Sequence, residues 1–440
     1  MSQQRTVGQM WEDMALPRLA YAFKLSVGPA KVLIAFLAVS LICAGGMAMD
    51  MCSHSVTVSP NRKVPRGLFG GDSSAFIQGT ELASYLQYPE HTKWFIQANQ
   101  GKYQGQGVFS TLWHFWTSRF NDTTVIVFKS LFKFEAPPPN NGIASAGVVY
   151  QIWLNLKLCF YSLVWALRFH TTYSILFLTY SFVVLCATGG AICRCAALEF
   201  AGNEKPGVFE AFEFVRERFR SLISAPLIPS LFMGIFSLIL VAIGLIVNIP
   251  WAGEFILAIL LAVLLSIGFV LTLLLAISIA GTGLMFPAIA YEGTSALDAI
   301  GRAICYVLSK PIWMVFYLLV QSLLGTFFYL VMRGLLFAVL WVTYHSIQLG
   351  VWQPETGPGK LERIWAEPSL FSLLGSPAAP AGGPEHLAGA MIGLLMLAIT
   401  ALIAAMAVSF IFSSMTIIYA LMRRKVDQTP VEKIWVHLES

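Results

Sequence analysis

The sequence predicts an all-α integral membrane protein with six transmembrane helices. They are grouped as three units of an elbow helix and a transmembrane hairpin, with a mainly helical extracytoplasmic region attached. Three observations carry this prediction. First, 57% of the 440 residues are hydrophobic and only 12% are charged, with a mean hydropathy of +0.71, whereas soluble domains carry about 25% charge. Second, apolar stretches long enough for the ~20-residue helix that crosses a hydrocarbon core occur at 31–49, 172–197, 228–249, 255–286, 312–343 and 388–422. Third, a basic amphipathic segment runs into a proline and then a long apolar stretch three times, at 17–29, 210–226 and 295–311. In each copy an arginine precedes the proline: Arg18 and Pro29, Arg216 and Pro226, Arg302 and Pro311. Proline's fixed φ and missing N–H suit the first turn of a new helix. The segment therefore reads as a helix lying in the membrane interface that turns upward at the proline.

In chain order, residues 1–50 hold the first elbow and first span. Val7, Met10, Trp11, Met14, Leu19 and Phe23 form an apolar stripe beside Arg18 and Lys24, suited either to the interface or to the protein's own cytoplasmic face. About thirty residues precede the first span and no Ala-x-Ala site follows it, so the span is expected to be retained rather than cleaved. Gly45 and Gly46 allow close helix approach, and Asp50 marks the outer boundary.

Residues 51–170 form the aqueous outer region, punctuated by Pro137-Pro138-Pro139. Its first part reads as loops and short helices. From Gly107 an amphipathic helix is expected, clustering Phe109, Leu112, Trp113, Trp116 and Phe120, with His114 packed among them. The stretch 143–169 is nearly long enough to span, but Asn155 and Lys157 fall near its middle, where polar groups are costly. A span there would also place Arg194 to Arg220 outside. It is read as an outer helix leading into the second span.

Residues 171–292 carry the second span with its small-residue face Ala187 to Ala191, the second elbow, and a third and fourth span joined at Asn248 to Glu254. The elbow's Glu213, Arg216, Glu217, Arg218 and Arg220 make either a solvated ion-paired face or a docking surface. Residues 293–345 hold the third elbow and fifth span, 346–387 a Pro/Gly/Ala-rich outer loop, and 388–440 the sixth span and tail. Spans four to six exceed one bilayer crossing. Tilt, kinks near Gly281 and Gly283, or extension beyond the lipid explain this, and a lateral hydrophobic cavity is the sharper alternative. In the fifth span, Gln321 and Arg333 are the intramembrane polar residues. Arg333 lies about 33 Å from Pro311 at 1.5 Å per residue, where its side chain is expected to snorkel to the outer interface.

Orientation follows from Lys and Arg. With both termini inside, the cytoplasmic pieces carry 15 basic residues in 107 positions and the outer pieces 12 in 162, which fits the positive-inside preference. The net charge of +5 suits contact with anionic headgroups, and its distribution does not suggest nucleic acid. The lipid bilayer is the first partner, with other membrane or cytoplasmic proteins as candidates. The expected location is a bacterial cytoplasmic membrane.

Chemistry-bearing patterns are missing. The predicted spans hold no Asp, Glu, Lys or His in their central portions, the seven histidines lie in loops or at helix ends, and no His-Glu-x-x-His, Gly-x-Ser-x-Gly or P-loop pattern occurs. The seven cysteines show no Cys-x-x-Cys spacing. Cys52 and Cys159 share the outer side, where a disulfide is an option, and Cys193-Arg194-Cys195 lacks further ligands for a metal. The expectation is a non-enzymatic protein with no cofactor and no metal. Were a site present, the outer region would carry it, with His54, His91 or His114.

Pro287, Ile289, Glu292, Ala299 and Pro311 form a pattern that resembles uncharacterised bacterial multi-pass membrane proteins, including the membrane domain fused to some glycerophosphodiester phosphodiesterases. The resemblance covers the membrane helices from about 170 onward. No phosphodiesterase domain is present, so that activity does not carry over. Glu292, Asp298, Ala299 and Pro311 also look similar in spacing to the coupling loop of type I ABC-transporter permeases. Gly293 and Thr294 stand where that loop has alanines, its acidic residue is shifted by one, and Ile300 or Gly301 misses its glycine position. The candidate docking or interfacial residues are therefore Arg216, Arg218, Arg220, Pro226, Glu292, Asp298, Arg302 and Pro311. The function read from the sequence is a scaffold or a handler of lipids and other apolar envelope molecules. The alternative is a permease subunit coupled to an ATPase through 292–311.

Overall fold

The computed structural model describes residues 16–65, 76–102, 105–132, 147–202, 204–249, 252–352, 359–370, 373 and 383–435. The stripe residues Val7, Met10, Trp11 and Met14, the triple proline at 137–139, Pro250-Trp251 in the hairpin turn, and most of the Pro/Gly/Ala-rich loop lie outside the described residues. In chain order come α1 (Leu16–Ser26), α2 (Pro29–Cys52), β1 (Val58–Pro65), β2 (Phe76–Thr80), α3 (Glu81–Gln87), a 3-10 turn (Pro89–His91), α4 (Thr92–Asn99) and α5 (Val108–Phe132). They are followed by α6 (Val148–Phe169), α7 (Thr171–Gly202), α8 (Val208–Ile246), α9 (Ala252–Glu292), α10 (Ala296–Ser309), α11 (Pro311–Gly350), α12 (Lys360–Ile364) and α13 (Gly383–Asp427). Among the described residues the fold is helical apart from one antiparallel strand pair, in which Val58 pairs with Thr80 and an irregularity falls between Ser59 and Lys63, and an isolated bridge between Val56 and Gln106.

Among the described residues seven helices, not six, are long and apolar enough to cross a membrane: α2, α6, α7, α8, α9, α11 and α13. The additional one is α6, within the stretch read as an outer helix. Its polar residues Gln151, Asn155 and Ser162 recur at helical spacing on a buried face, which leaves Val149, Trp153, Leu156 and Phe160 exposed. The apolar character sits on the outside of this helix, and polarity averaged along the sequence hides that.

The proline grammar holds in part. Between α1 and α2 the helix breaks at Val27-Gly28, and between α10 and α11 it breaks at one residue, Lys310 (φ −139°, ψ 61°). At the second copy there is no break: α8 runs through Pro226 and Pro229 as one helix of 39 residues. Proline removes one backbone donor per position without forbidding the helix, and the Ser230 hydroxyl donates to the Pro226 carbonyl at 3.0 Å. Pro226 therefore sits inside a helix, not at a turn. A junction like that at Lys310 occurs instead without proline, between α6 and α7 at His170 (φ −126°, ψ 51°). In both junctions the residue's N–H reaches back four residues and its carbonyl accepts from four residues ahead.

The chain divides into two compact units: residues 1–39, 183–335 and 398–440, and residues 40–182 and 336–397. The first unit has a core of small and aliphatic side chains, including Ala191, Ile192, Leu284, Ala288, Ala303 and Ile418. The small face of α7 is used here, since a Cβ on Gly190 would come within 2.6 Å of Leu222. The core of the second unit gathers Val56, Leu82, Tyr85, Val108, Leu112 and Trp165.

Candidate functional site

The strongest polar constellation of the first unit centres on Glu292, the last residue of α9. The sequence explains its position. Gly293 follows with φ +59°, a conformation that favours glycine, and Ser295 caps α10 by accepting from the Asp298 N–H at 3.3 Å. The chain thus ends one helix and starts the next within three residues, placing Glu292 beside the first turns of α10. The Glu292 side chain is 7% exposed. Its Oε1 accepts from the Tyr419 hydroxyl at 2.7 Å and forms an ion pair with Arg423 Nε at 3.2 Å, both on α13, and its Oε2 pairs with Arg302 of α10. Next to it, the Tyr306 hydroxyl donates to Asp427.

The charges follow from these contacts. Burial alone would lower the Arg302 pKa, but the Glu292 carboxylate together with Tyr419 and Tyr306 outweighs it and holds the guanidinium above its ordinary value. Burial raises the Tyr306 pKa, and the hydrogen bond to and charge of Asp427 raise it further. The chain after α13 closes the cluster. Arg423 Nη1 donates to the Lys433 carbonyl at 2.7 Å, and the Trp435 N–H donates to the Tyr291 carbonyl at 2.8 Å. The Trp435 ring sits against Gly293, where a Cβ would meet it at 2.7 Å, with the guanidinium groups of Arg194 and Arg218 at 5.6 and 5.1 Å.

Of the residues singled out from the sequence, Glu292 and Arg302 are brought together and Arg218 reaches the cluster through Trp435. Arg216 and Arg220 are exposed on α8, and Pro311 is the exposed first residue of α11. Asp298 is engaged with its own cap, its Oδ2 accepting from the Ser295 hydroxyl at 2.7 Å. Gln321 Nε2 donates to Ser414 Oγ at 2.7 Å, while its Oε1 is buried without a hydrogen-bond partner. Arg333 does not snorkel. It is 6% exposed, and its Nη1 donates to the Tyr329 hydroxyl one turn away at 2.8 Å.

Sequence reasoning missed Tyr419, Arg423 and Trp435 as partners, because each lies more than 120 positions from Glu292 and no spacing rule joins them. It also missed Arg194, which is buried and donates to the carbonyls of Ala290 (2.8 Å) and Trp435 (3.0 Å). Lys31, assigned to the boundary of the first span, falls inside α2 and pairs with Glu199 of α7, both side chains buried.

In the second unit Asp50, in the last turn of α2, caps another helix. It accepts from the Phe109 and Ser110 N–H groups of the first turn of α5 at 3.0 and 2.7 Å, and from the Tyr173 hydroxyl at 2.6 Å. A carboxylate at a helix N-terminus satisfies donors that the helix leaves open. His114 is exposed, contrary to its expected packing, and lines an open groove of about 420 Å³ with His54, Gly105, Gln106, Gly107 and Ser110. Cys52 and Cys159 are free thiols, and no group of three or more metal-ligating side chains occurs among the described residues. No protein-family model, no curated protein and no solved structure matches the chain.

Proposed function

We propose that this chain resides in a bacterial cytoplasmic membrane with both termini in the cytoplasm, and that it holds or hands on lipids or other apolar envelope molecules, acting through its apolar surface. One observation supports this most directly. In α8 and α9 no residue of the most apolar window is buried, and Leu231, Phe232, Leu238, Phe255, Ile259 and Phe269 stand open. A surface of that kind is in contact with lipid in a membrane-embedded protein. The permease alternative loses support because Glu292, the first acid of that loop, is occupied by Arg302 and Arg423.

Gentle native purification followed by mass spectrometry of retained lipids and proteins tests the proposal. Lipid retained in stoichiometric amount without an ATPase is the expected result. An ATPase in stoichiometric amount would move the assignment to the permease, with Glu292 to Pro311 as its contact.

A further inference from the structure

Another buried glutamate is arranged for a different chemistry. Glu81, in the first turn of α3, has a side chain 1% exposed. Its Oε1 accepts from Trp165 Nε1 at 3.2 Å and its Oε2 from the Thr57 N–H at 3.3 Å. The same Oε1 lies 3.3 Å from Nε2 of His170, whose side chain is 9% exposed. On the far side of the ring, Nδ1 lies 3.1 Å from Oγ of Ser55, an exposed residue. The three side chains thus run from an exposed hydroxyl through a nearly buried imidazole to a fully buried carboxylate. His170 is held on all sides: it is the single residue joining α6 to α7, its N–H donates to the Ala166 carbonyl at 2.9 Å, and its ring stands edge-on to Trp165 at 5.1 Å.

The order of groups favours one tautomer. An ionised carboxylate only accepts, so the ring nitrogen facing Glu81 carries the proton, and Nδ1 is left with a lone pair toward the Ser55 hydroxyl. That is the arrangement in which an imidazole can take a proton from a serine. The Nε2–H lies off the line to Oε1 and makes no aligned hydrogen bond, a looseness common before substrate closes on a site.

We propose that Ser55 is a nucleophile, His170 its general base and Glu81 the positioning residue of an ester-hydrolysing site. This goes beyond the function proposed above and sets aside the expectation of a chain without catalysis. Ser55 Oγ attacks the ester carbonyl carbon as its proton passes to Nδ1. The carbon–oxygen bond to the alcohol breaks, the alcohol leaves with that proton, and an acyl-serine remains. Water then attacks the acyl carbon, giving its proton through Nδ1 back to Ser55 Oγ and releasing the carboxylic acid. Glu81 faces the positive charge that develops on the ring. Ser55 lies three residues beyond α2, a candidate membrane span, and near Met51, which is 80% exposed. The substrate class is therefore the acyl ester of an amphiphile reaching the membrane surface. That last step rests on the membrane reading, whereas the catalytic assignment does not.

The test uses the full chain in mild detergent. An alkyl fluorophosphonate, which phosphonylates an activated serine with loss of fluoride, is reacted with it and the adduct is mapped by mass spectrometry. The expected result is an adduct on Ser55 that disappears in Ser55→Ala, with labelling slowed by about 10³-fold or more in His170→Gln. In Glu81→Gln the pH profile of labelling is displaced, which a purely structural role would not produce. Ser55 is exposed, so Ser55→Ala is expected to keep the wild-type unfolding temperature. This keeps the assignment testable if the two buried variants fail to fold. No adduct on Ser55 in the folded wild-type chain would overturn the site. Hydrolysis of short-chain p-nitrophenyl esters without long-chain ones would overturn the amphiphile substrate class alone.

Discussion

Glu292 and Glu81 are both buried, and they are accommodated in opposite ways. Glu292 is met by two guanidinium groups and a tyrosine hydroxyl, so charge answers charge. Glu81 is met by an indole N–H and a backbone N–H, with an imidazole beside them, and none of the three is a permanent cation. Taking a carboxylate out of water costs several kcal/mol unless it is paired and hydrogen-bonded, and the chain uses both remedies. The difference separates their uses. A carboxylate fixed between two permanent cations braces helices, whereas one facing a histidine leaves a proton acceptor available next to it.

This contrast can be broken by experiment. The largest effect is expected for Glu292→Ala, which strands Arg423 in a buried setting. Loss of one partner of a buried pair costs about 3–5 kcal/mol, and because Arg302 is 42% exposed the lower end, about 3 kcal/mol, is expected in thermal or denaturant unfolding in detergent. Adding Arg423→Met should recover part of that loss, because the stranded cation is then gone. A Glu292→Ala protein as stable as wild type would remove Glu292 as a brace.

Glu81→Ala leaves the Trp165 and Thr57 N–H groups without an acceptor and should cost about 2 kcal/mol, within the range of about 1–3 kcal/mol for an orphaned buried donor. Glu81→Gln keeps an acceptor and should cost less. A larger loss for Glu81→Ala than for Glu292→Ala would reverse the comparison.

The smallest effect concerns pH. Tyr306 titrates above its ordinary value of 10.0 in the folded chain. The sign follows by linkage: the stability it contributes is complete below pH 10 and is lost as pH rises through the higher folded value. Tyr306→Phe should therefore flatten the alkaline limb of the stability profile by about 1 kcal/mol. An alkaline limb identical in both proteins would exclude Tyr306 as its source.

How much of this was legible in the sequence depends on the range of the interactions. The apolar helices follow from composition and length, and Glu292 stood out because it closes a local pattern after Pro287. The second elbow differs from expectation because a proline after an amphipathic segment does not by itself make a turn: a helix packed through Leu222 and Ala225 keeps its course at the loss of one hydrogen bond per proline. The seventh apolar helix was hidden by Asn155 and Lys157. The first is buried, its Nδ2 donating to Thr123 at 3.0 Å, and the second lies over the Tyr161 ring. The Ser55, Glu81 and His170 constellation left no local trace, since its members come from a loop, a helix start and a one-residue junction spread over 115 positions.

In α8 the buried residues end at Ala225, and in α9, apart from Gly253 at the turn, they begin at Ile277. The arms between, 226–246 and 252–276, extend about 31 and 37 Å at 1.5 Å per residue, close to the ~30 Å of a hydrocarbon core. They pack on each other, so their inclination is left to hydrophobic matching with the surrounding lipid. A thinner bilayer would tilt the pair, and α9 is the helix that ends in Glu292. The apolar arm and the charged cluster are thus two ends of one continuous helix.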